Sequence, residues 1–373
     1  MRIVHFLDCT GHGGDAVAAL SIASSQRDRG HDVSIIIVNC EYAGLFEQQA
    51  RSKGVPTTIA VPILNKDGQR LAARMYAIWS TLRHHVGDVL HLHNGVGRIR
   101  TADILAVRAL PCRCVVATMH YTPSWESSDG DVRAARRWGH GAPLLDSVVV
   151  PSFSAMAPQR FAGVPRLRVI HNPVDVDRMS SGDRVKVRRE LGLAPHDTLV
   201  LFMARLDPEK SPREVVSAFA ELASDQPNVH LAMAGTGRLA GACAEIAKAT
   251  STVDRVHFLG HRSDIPDLLK AADIFVHPSQ GESFGLSVVE AMAAGLPVIT
   301  TPVGIIPEIA DYENVVRPVS LEQPHDIKRA LEELIGSPAR RQSLGDRAIA
   351  AARQFSPDII AQAYEDLYRA CRR

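Results

Sequence analysis

Two glutamates with seven residues between them are the sharpest chemical feature of the chain. Glu282 and Glu290 stand in Gly281-Glu282-Ser283-Phe284-Gly285-Leu286-Ser287-Val288-Val289-Glu290-Ala291-Met292-Ala293-Ala294-Gly295-Leu296-Pro297. Ser283 reads as the N-cap of a helix, and Gly295 followed by Pro297 as its stop. Glu282 then lies in the loop before the helix and Glu290 about two turns into it. The plain alternative makes Glu290 a surface residue, but Val288, Val289, Ala291 and Met292 around it are apolar, and a carboxylate among them needs a partner. The N–H groups of Phe284, Gly285 and Leu286 open the helix without intrahelical acceptors and suit an anion. A second cluster, Ala204-Arg205-Leu206-Asp207-Pro208-Glu209-Lys210-Ser211-Pro212, combines a planar guanidinium fork with a compact ammonium, a set suited to a diphosphate. Its alternative is a solvated loop in which Asp207 and Glu209 are local ion partners. A third, Gly11-His12-Gly13-Gly14, departs from G-x-G-x-x-G spacing, so it is either a phosphate cradle or a tight strand-to-helix turn.

Such residues must be held by something, and the chain alternates β-branched runs with helical periods, the pattern of βαβ units in an α/β fold. Strands are expected near Arg2 to Leu7, Val33 to Val38, Val89 to His93, Cys114 to Met119 and Ser147 to Val150, with helices over Asp15 to Arg29 and Gln69 to His85. A second series follows at Thr198 to Ala204, Val229 to Met233, Arg255 to Leu259, Ile274 to His277 and Pro297 to Thr300. Arg205 and Lys210 therefore follow a strand's carboxyl end, where ligands of parallel sheets bind. The charged, Pro-bearing stretch Asn172 to His196 reads as a linker. His91 and His93 could be read as a metal pair; alternation along a strand is taken to send them to opposite faces, which favours packing.

The 373 residues suffice for two domains. Forty-two Lys and Arg against 41 Asp and Glu leave a net charge of +1, without the basic excess of a nucleic-acid binder, so no nucleic-acid partner is expected. No apolar run approaches the ~20 residues of a membrane span. Met1-Arg2-Ile3-Val4 enters a strand pattern without a signal-peptide layout, so a cytoplasmic location is expected. The six cysteines are scattered and read as reduced thiols, and Cys112 with Cys114 lacks a second pair at zinc spacing. Arg70, Arg74 and Arg83 with Tyr76 and Trp79, and Arg133, Arg136 and Arg137, are basic clusters compatible with peripheral membrane contact or with plain solvation.

Glu282 and Glu290 in their setting resemble the E-x7-E signature of the retaining GT-B glycosyltransferases of family GT4, the glycosyl transferases group 1 proteins. The resemblance covers essentially the whole chain. Arg205 and Lys210 match that family's diphosphate pair, Gly235-Thr236-Gly237 its Gly-x-Gly, and Val169-Ile170-His171-Asn172-Pro173-Val174-Asp175 its interdomain segment. Gly13-Gly14, Gly30-His31-Asp32-Val33 and Asp88-Val89-Leu90-His91-Leu92-His93 match its N-terminal half.

The resemblance implies a GT-B fold of two Rossmann-like domains facing a central cleft. It implies an acceptor-binding domain over 1–173, a nucleotide-sugar-binding domain over 174–356, and a C-terminal helix, 357–373, packing back on the first. It implies transfer of a hexosyl or N-acetylhexosaminyl group from a nucleotide sugar, a UDP-sugar being expected, to a hydroxyl of a small-molecule, lipid-linked or glycan acceptor, with retention and with no metal or other cofactor. On this carry-over Glu282, His120, Arg205 and Lys210 serve catalysis. Glu290 would hold the donor ribose and Glu282 the transferred sugar. Phe284, Gly285 and Leu286 would meet sugar and phosphates through backbone N–H groups, Gly14, Arg205 and Lys210 would bind the diphosphate, Arg262 would lie at the nucleobase, and Gly13, Gly235 and Ser283 would join the donor site. No Asp-x-Asp metal motif stands in the donor region, and positive side chains with helix N–H groups would stabilise the departing diphosphate. Two departures stand out: Tyr121 follows His120 where Asp is frequent, and Val303-Gly304-Ile305-Ile306-Pro307-Glu308 has one glycine where many members have two. A non-catalytic nucleotide-sugar-binding protein and a GT-B sugar-nucleotide epimerase are the alternatives to an active transferase.

Overall fold

The computed structural model describes residues 1–8, 13–38, 42–60, 71–85, 87–94, 101–120, 142–156, 166–250, 252–323 and 325–371. Cys9, Gly11, His12, Cys40, Arg70, Tyr121, Arg133, Arg136 and Arg137 lie outside the described residues. Met1–Pro173 with Pro357–Arg373 form one compact unit, and Val174–Ser356 a second.

The first unit is built on β1 (Arg2–Asp8), β2 (Asp32–Val38), β3 (Thr57–Ala60), β4 (Val89–Asn94), β5 (Cys114–Met119), β6 (Ser147–Val150) and β7 (Leu167–Val169). They form a parallel sheet in the order β3-β2-β1-β4-β5-β6-β7. The second unit carries β8 (Thr198–Met203), β9 (Val229–Ala234), β10 (Val256–Gly260), β11 (Ile274–His277), β12 (Val298–Thr300) and β13 (Arg317–Pro318). Its parallel order is β10-β9-β8-β11-β12-β13. Central strands are mostly apolar because helices cover both faces, with His5, His91, His93 and His277 as buried exceptions, so each unit has two core layers. The helix Pro357–Cys371 packs on the helix Gly14–Asp28 and sends Ile360, Tyr364 and Tyr368 into the first unit's core.

The strands missing from the sequence reading, β3, β7 and β13, are all edge strands. Edge strands are short and half-exposed, so they lack the continuous apolar run that marks a central one. The expected linker is also corrected. Asp175 caps a helix at Val176–Ser180 by accepting from the Arg178 N–H, and Asp183 caps one at Arg184–Glu190 by accepting from the Val185 and Lys186 N–H groups. Arg184 and Arg188 of this segment bond to the two carboxylate oxygens of Asp273 at 2.7 and 3.2 Å, fastening it to the start of β11.

Candidate active site

In the second sheet β8 and β11 are neighbours in space but not in sequence, so the topology reverses between them. The carboxyl ends flanking such a switch point splay apart and leave a crevice for a ligand. Arg205 and Lys210 follow β8, and Glu282 follows β11. The two loops are tied together: the Glu209 carbonyl accepts from the Gln280 N–H and the Ser279 hydroxyl, each at 2.9 Å. The loop after β12 braces them from the other side, its Ile305 N–H donating to the Phe284 carbonyl at 2.9 Å. Gly304 has φ +62°, and a Cβ there would stand 2.4 Å from the Phe284 oxygen and 2.8 Å from Glu282 Cβ. The single glycine of this loop sits where close approach demands one, and Ile305, in place of a second, is buried in the core.

Lys210 and Glu282 are brought together. Lys210 Nζ donates to Glu282 Oε1 at 2.6 Å, and both side chains are 14 % exposed. The same oxygen lies 2.7 Å from Nε2 of His277, the buried last residue of β11. Burial opposes ionisation of Glu282, but Lys210 and His277 outweigh it and hold its carboxyl down at about 2. A carboxylate so fixed is a permanent anion with Oε1 spoken for and Oε2 left to meet a hydroxyl. His277 was not singled out in sequence; a histidine ending an apolar strand at the switch point was the available signal.

Glu290 is the opposite case. No hydrogen bond reaches its carboxyl from any described residue, and burial pushes it up to about 7, only partly offset by Arg178. The helix bearing it runs Leu286–Ala293, shorter than expected. Ser283 is not its N-cap: Gly285, at φ +94°, takes that place without a side-chain cap, so Glu290 stands about one turn into the helix rather than two. The C-terminal end does close as expected. Gly295 at φ +80° donates its N–H to the Met292 carbonyl, and the Leu296 N–H donates to that of Ala291, a Schellman arrangement. The first-turn N–H groups of Leu286 and Ser287 have no intrahelical acceptor.

Arg205 does not join Lys210 and Glu282. It is 58 % exposed and pairs with Asp207 and Glu209, the local arrangement the sequence also allowed. Gly235, at φ +144°, serves packing: a Cβ there would be 1.9 Å from the Ala204 carbonyl oxygen, so the glycine lets the loop after β9 run beneath the Arg205 loop. Arg262 follows the edge strand β10, away from the switch point. It bonds Asp264 through Nε and Nη2, each at 2.8 Å, and Glu190 through Nη1 and Nη2, so all its nitrogens are engaged.

In the first unit the switch point lies between β1 and β4. Gly13 caps the helix Gly14–Asp28, and a Cβ on it would meet Asp15 Oδ1 at 2.6 Å. That carboxylate folds back onto the Ala16 N–H at 2.9 Å, so the helix start beside Gly14 already has an anion. His120 follows β5 and is 8 % exposed. Its Nε2 lies 2.9 Å from His93 Nδ1. Burial lowers its pKa, with Asp15 and Asn172 acting the other way. His91 and His93 do not point to opposite faces: two apart on β4, they share one, with ring centroids 4.0 Å apart.

Two family models together match most of the chain. A family model described as Glycosyltransferase Family 4 matches residues 12–178, and one described as Glycosyl transferases group 1 matches residues 183–351. D-inositol 3-phosphate glycosyltransferase of Segniliparus rotundus is 31 % identical over 223 residues, 58 % of this chain and 49 % of that protein. The protein of the same name from Rhodococcus jostii is 32 % identical over 213 residues, 55 % of this chain and 47 % of that one. The chain spans about half the length of the curated relatives it matches. Crystal structures of Anabaena HepE with UDP and with UDP-glucose superpose with TM-scores of 0.81 and 0.82 at 21 % identity, covering 99 % of this chain and 100 % of that one. Sucrose-phosphate synthase of Thermosynechococcus elongatus gives 0.76 at 18 % identity, covering 99 % of each chain. These structures share the fold, two parallel-sheet α/β domains of GT-B type.

Proposed function

The chain belongs to the group 1, family 4 glycosyltransferases, and from that premise we propose that it transfers a sugar from a UDP-sugar to an acceptor hydroxyl, with retention and without a metal. The observation that carries the reading is the Lys210–Glu282–His277 constellation at the second unit's switch point. Breaking the bond between sugar and diphosphate puts positive charge on the anomeric carbon and negative charge on the leaving phosphate. Lys210 supplies a fixed cation for the phosphate, and the N–H groups at the start of the helix Leu286–Ala293 add to it. Arg205, exposed and held among the described residues by Asp207 and Glu209, turns from them to the diphosphate when it arrives. Glu282, already ionised, accepts a sugar hydroxyl and faces the developing positive charge; with a pKa of about 2 it is no proton donor. The leaving phosphate oxygen takes the acceptor hydroxyl's proton.

Glu290 holds the ribose. A carboxyl that no described residue hydrogen-bonds and that is costly to ionise becomes favourable to ionise when two hydroxyls donate to it. UDP as the nucleotide is supported by HepE, crystallised with UDP and UDP-glucose. D-inositol 3-phosphate, named in the relatives, is the first acceptor to try. The test is calorimetry of the purified protein against UDP-, GDP- and ADP-sugars, followed by transfer assays with and without EDTA and NMR of the product's anomeric configuration. Binding of a UDP-sugar with EDTA-insensitive, retaining transfer is expected; no binding to any nucleotide sugar overturns the reading.

A further inference from the structure

Beneath the first unit's switch point lies a buried chain of side chains that the proposed chemistry does not use. Gln26 Oε1 is 2.9 Å from His5 Nε2, His5 Nδ1 is 2.8 Å from His93 Nε2, and His93 Nδ1 is 2.9 Å from His120 Nε2. Gln26, His5 and His93 are fully buried. Three histidines, His5, His91 and His93, approach closely enough to suggest a metal. Their nitrogens are otherwise engaged: His91 bonds Thr118 Oγ1 and the Tyr368 hydroxyl at 2.7 and 2.6 Å, and those of His5 and His93 lie within the chain. The geometry is that of a hydrogen-bond wire.

A neutral imidazole has one N–H and one lone pair, so in a wire of them each orientation dictates the next. Gln26 turns Oε1, which can only accept, towards His5 and leaves its own Nε2 buried without a hydrogen bond to a described residue; in that orientation His5 is the Nε2–H tautomer with a lone pair on Nδ1. His93 must then donate from Nε2 and accept at Nδ1, and His120 must donate from Nε2. We infer that Gln26, His5 and His93 are positioning residues that fix His120 in the Nε2–H tautomer and present its buried Nδ1, which has no hydrogen-bond partner among the described residues although Asn172 lies next to the ring, as a hydrogen-bond acceptor for a substrate hydroxyl. Burial keeps the wire neutral, holding His5 down at about 4 and His91 and His93 well below their ordinary value. Gln26 cannot take up a proton, so the wire orients and does not conduct. The role of the hydroxyl rests on the proposed transferase function; the tautomer does not.

The experiment is long-range proton–nitrogen NMR on ligand-free protein with ¹⁵N-labelled histidine, which distinguishes the tautomers directly. The expected spectrum has His5, His93 and His120 all neutral and Nε2–H at pH 7. In Gln26→Met, which removes the terminal acceptor, the Nε2–H to Nδ1–H ratio at His120 should fall about tenfold, the equivalent of one buried neutral hydrogen bond. His93→Gln, which can still accept from His120, should keep the wild-type tautomer, whereas His93→Leu should lose it. A wild-type His120 protonated on Nδ1 would mean the wire runs the other way and would overturn the assignment, as would an unchanged ratio in Gln26→Met. None of these readouts needs a nucleotide sugar, so a failed transferase assay leaves them standing and a reversed tautomer leaves the transferase intact.

Discussion

Replacing Glu290 by Gln should make the protein more stable and worse at binding. Burial lifts the carboxyl from 4.5 in the unfolded chain to about 7 in the fold. Below pH 4.5 both states hold the proton and the residue costs nothing. As pH rises from 4.5 to 7 the unfolded chain ionises first, and stability is lost across that window; above 7 the loss is complete. An interval of about 2.5 in pKa corresponds to about 3 kcal/mol. Glutamine keeps the shape and drops the charge, so Glu290→Gln should match wild type near pH 4 and exceed it by up to about 3 kcal/mol at pH 8. The assay is urea denaturation followed by circular dichroism at several pH values. Binding should move the other way: UDP affinity of the wild type should rise between pH 6 and 8 as the carboxylate forms. The variant should bind ten- to a hundredfold more weakly at pH 8 with a flat pH profile. A stability gain absent at pH 8, or equal at pH 4 and 8, would refute the assignment of the cost to an ionised Glu290.

Lys210→Ala should lower kcat by about a hundredfold or more with a smaller change in KM, read by steady-state kinetics, because its charge matters most when the leaving group becomes anionic. Glu282→Ala leaves Lys210 buried without its partner and should cost about 3 kcal/mol, read by denaturation. Glu282→Gln should flatten acid unfolding: the stabilisation from Glu282 is present above pH 4.5 and disappears as pH falls towards 2, so wild type and variant should converge there. Gly235→Ala should destabilise by about 2 kcal/mol or more and loosen UDP binding, since its Cβ would strike the Ala204 carbonyl beneath the Arg205 loop.

The α/β class and every central strand were legible because strands buried on both faces are written in runs of Val, Ile and Leu. Three of the four edge strands were not, since nothing distinguishes a half-exposed trio such as Leu167–Val169 from a loop. The candidate site was legible where spacing carries information: Glu282, Lys210 and Glu290 announce themselves by sequence. What pairs with what was not. His277 reaches Glu282 only because β11 ends beside β8, and Gln26 reaches His5 only because a helix lies over β1. Arg262 shows the converse, a cation whose neighbours in the fold include Glu190, a carboxylate that spacing alone does not bring to it.

The return of the last helix to the first unit has a consequence during synthesis. Tyr364 and Tyr368 bond to Thr118 and His91 across 246 and 277 residues of sequence. All of Val174–Ser356 is encoded before either tyrosine. The later-encoded unit is therefore the first to be complete in sequence, while the core layer of the earlier one stays open until the helix that completes it is added. A released chain truncated after Ser356 should protect the second unit from protease and leave the first exposed.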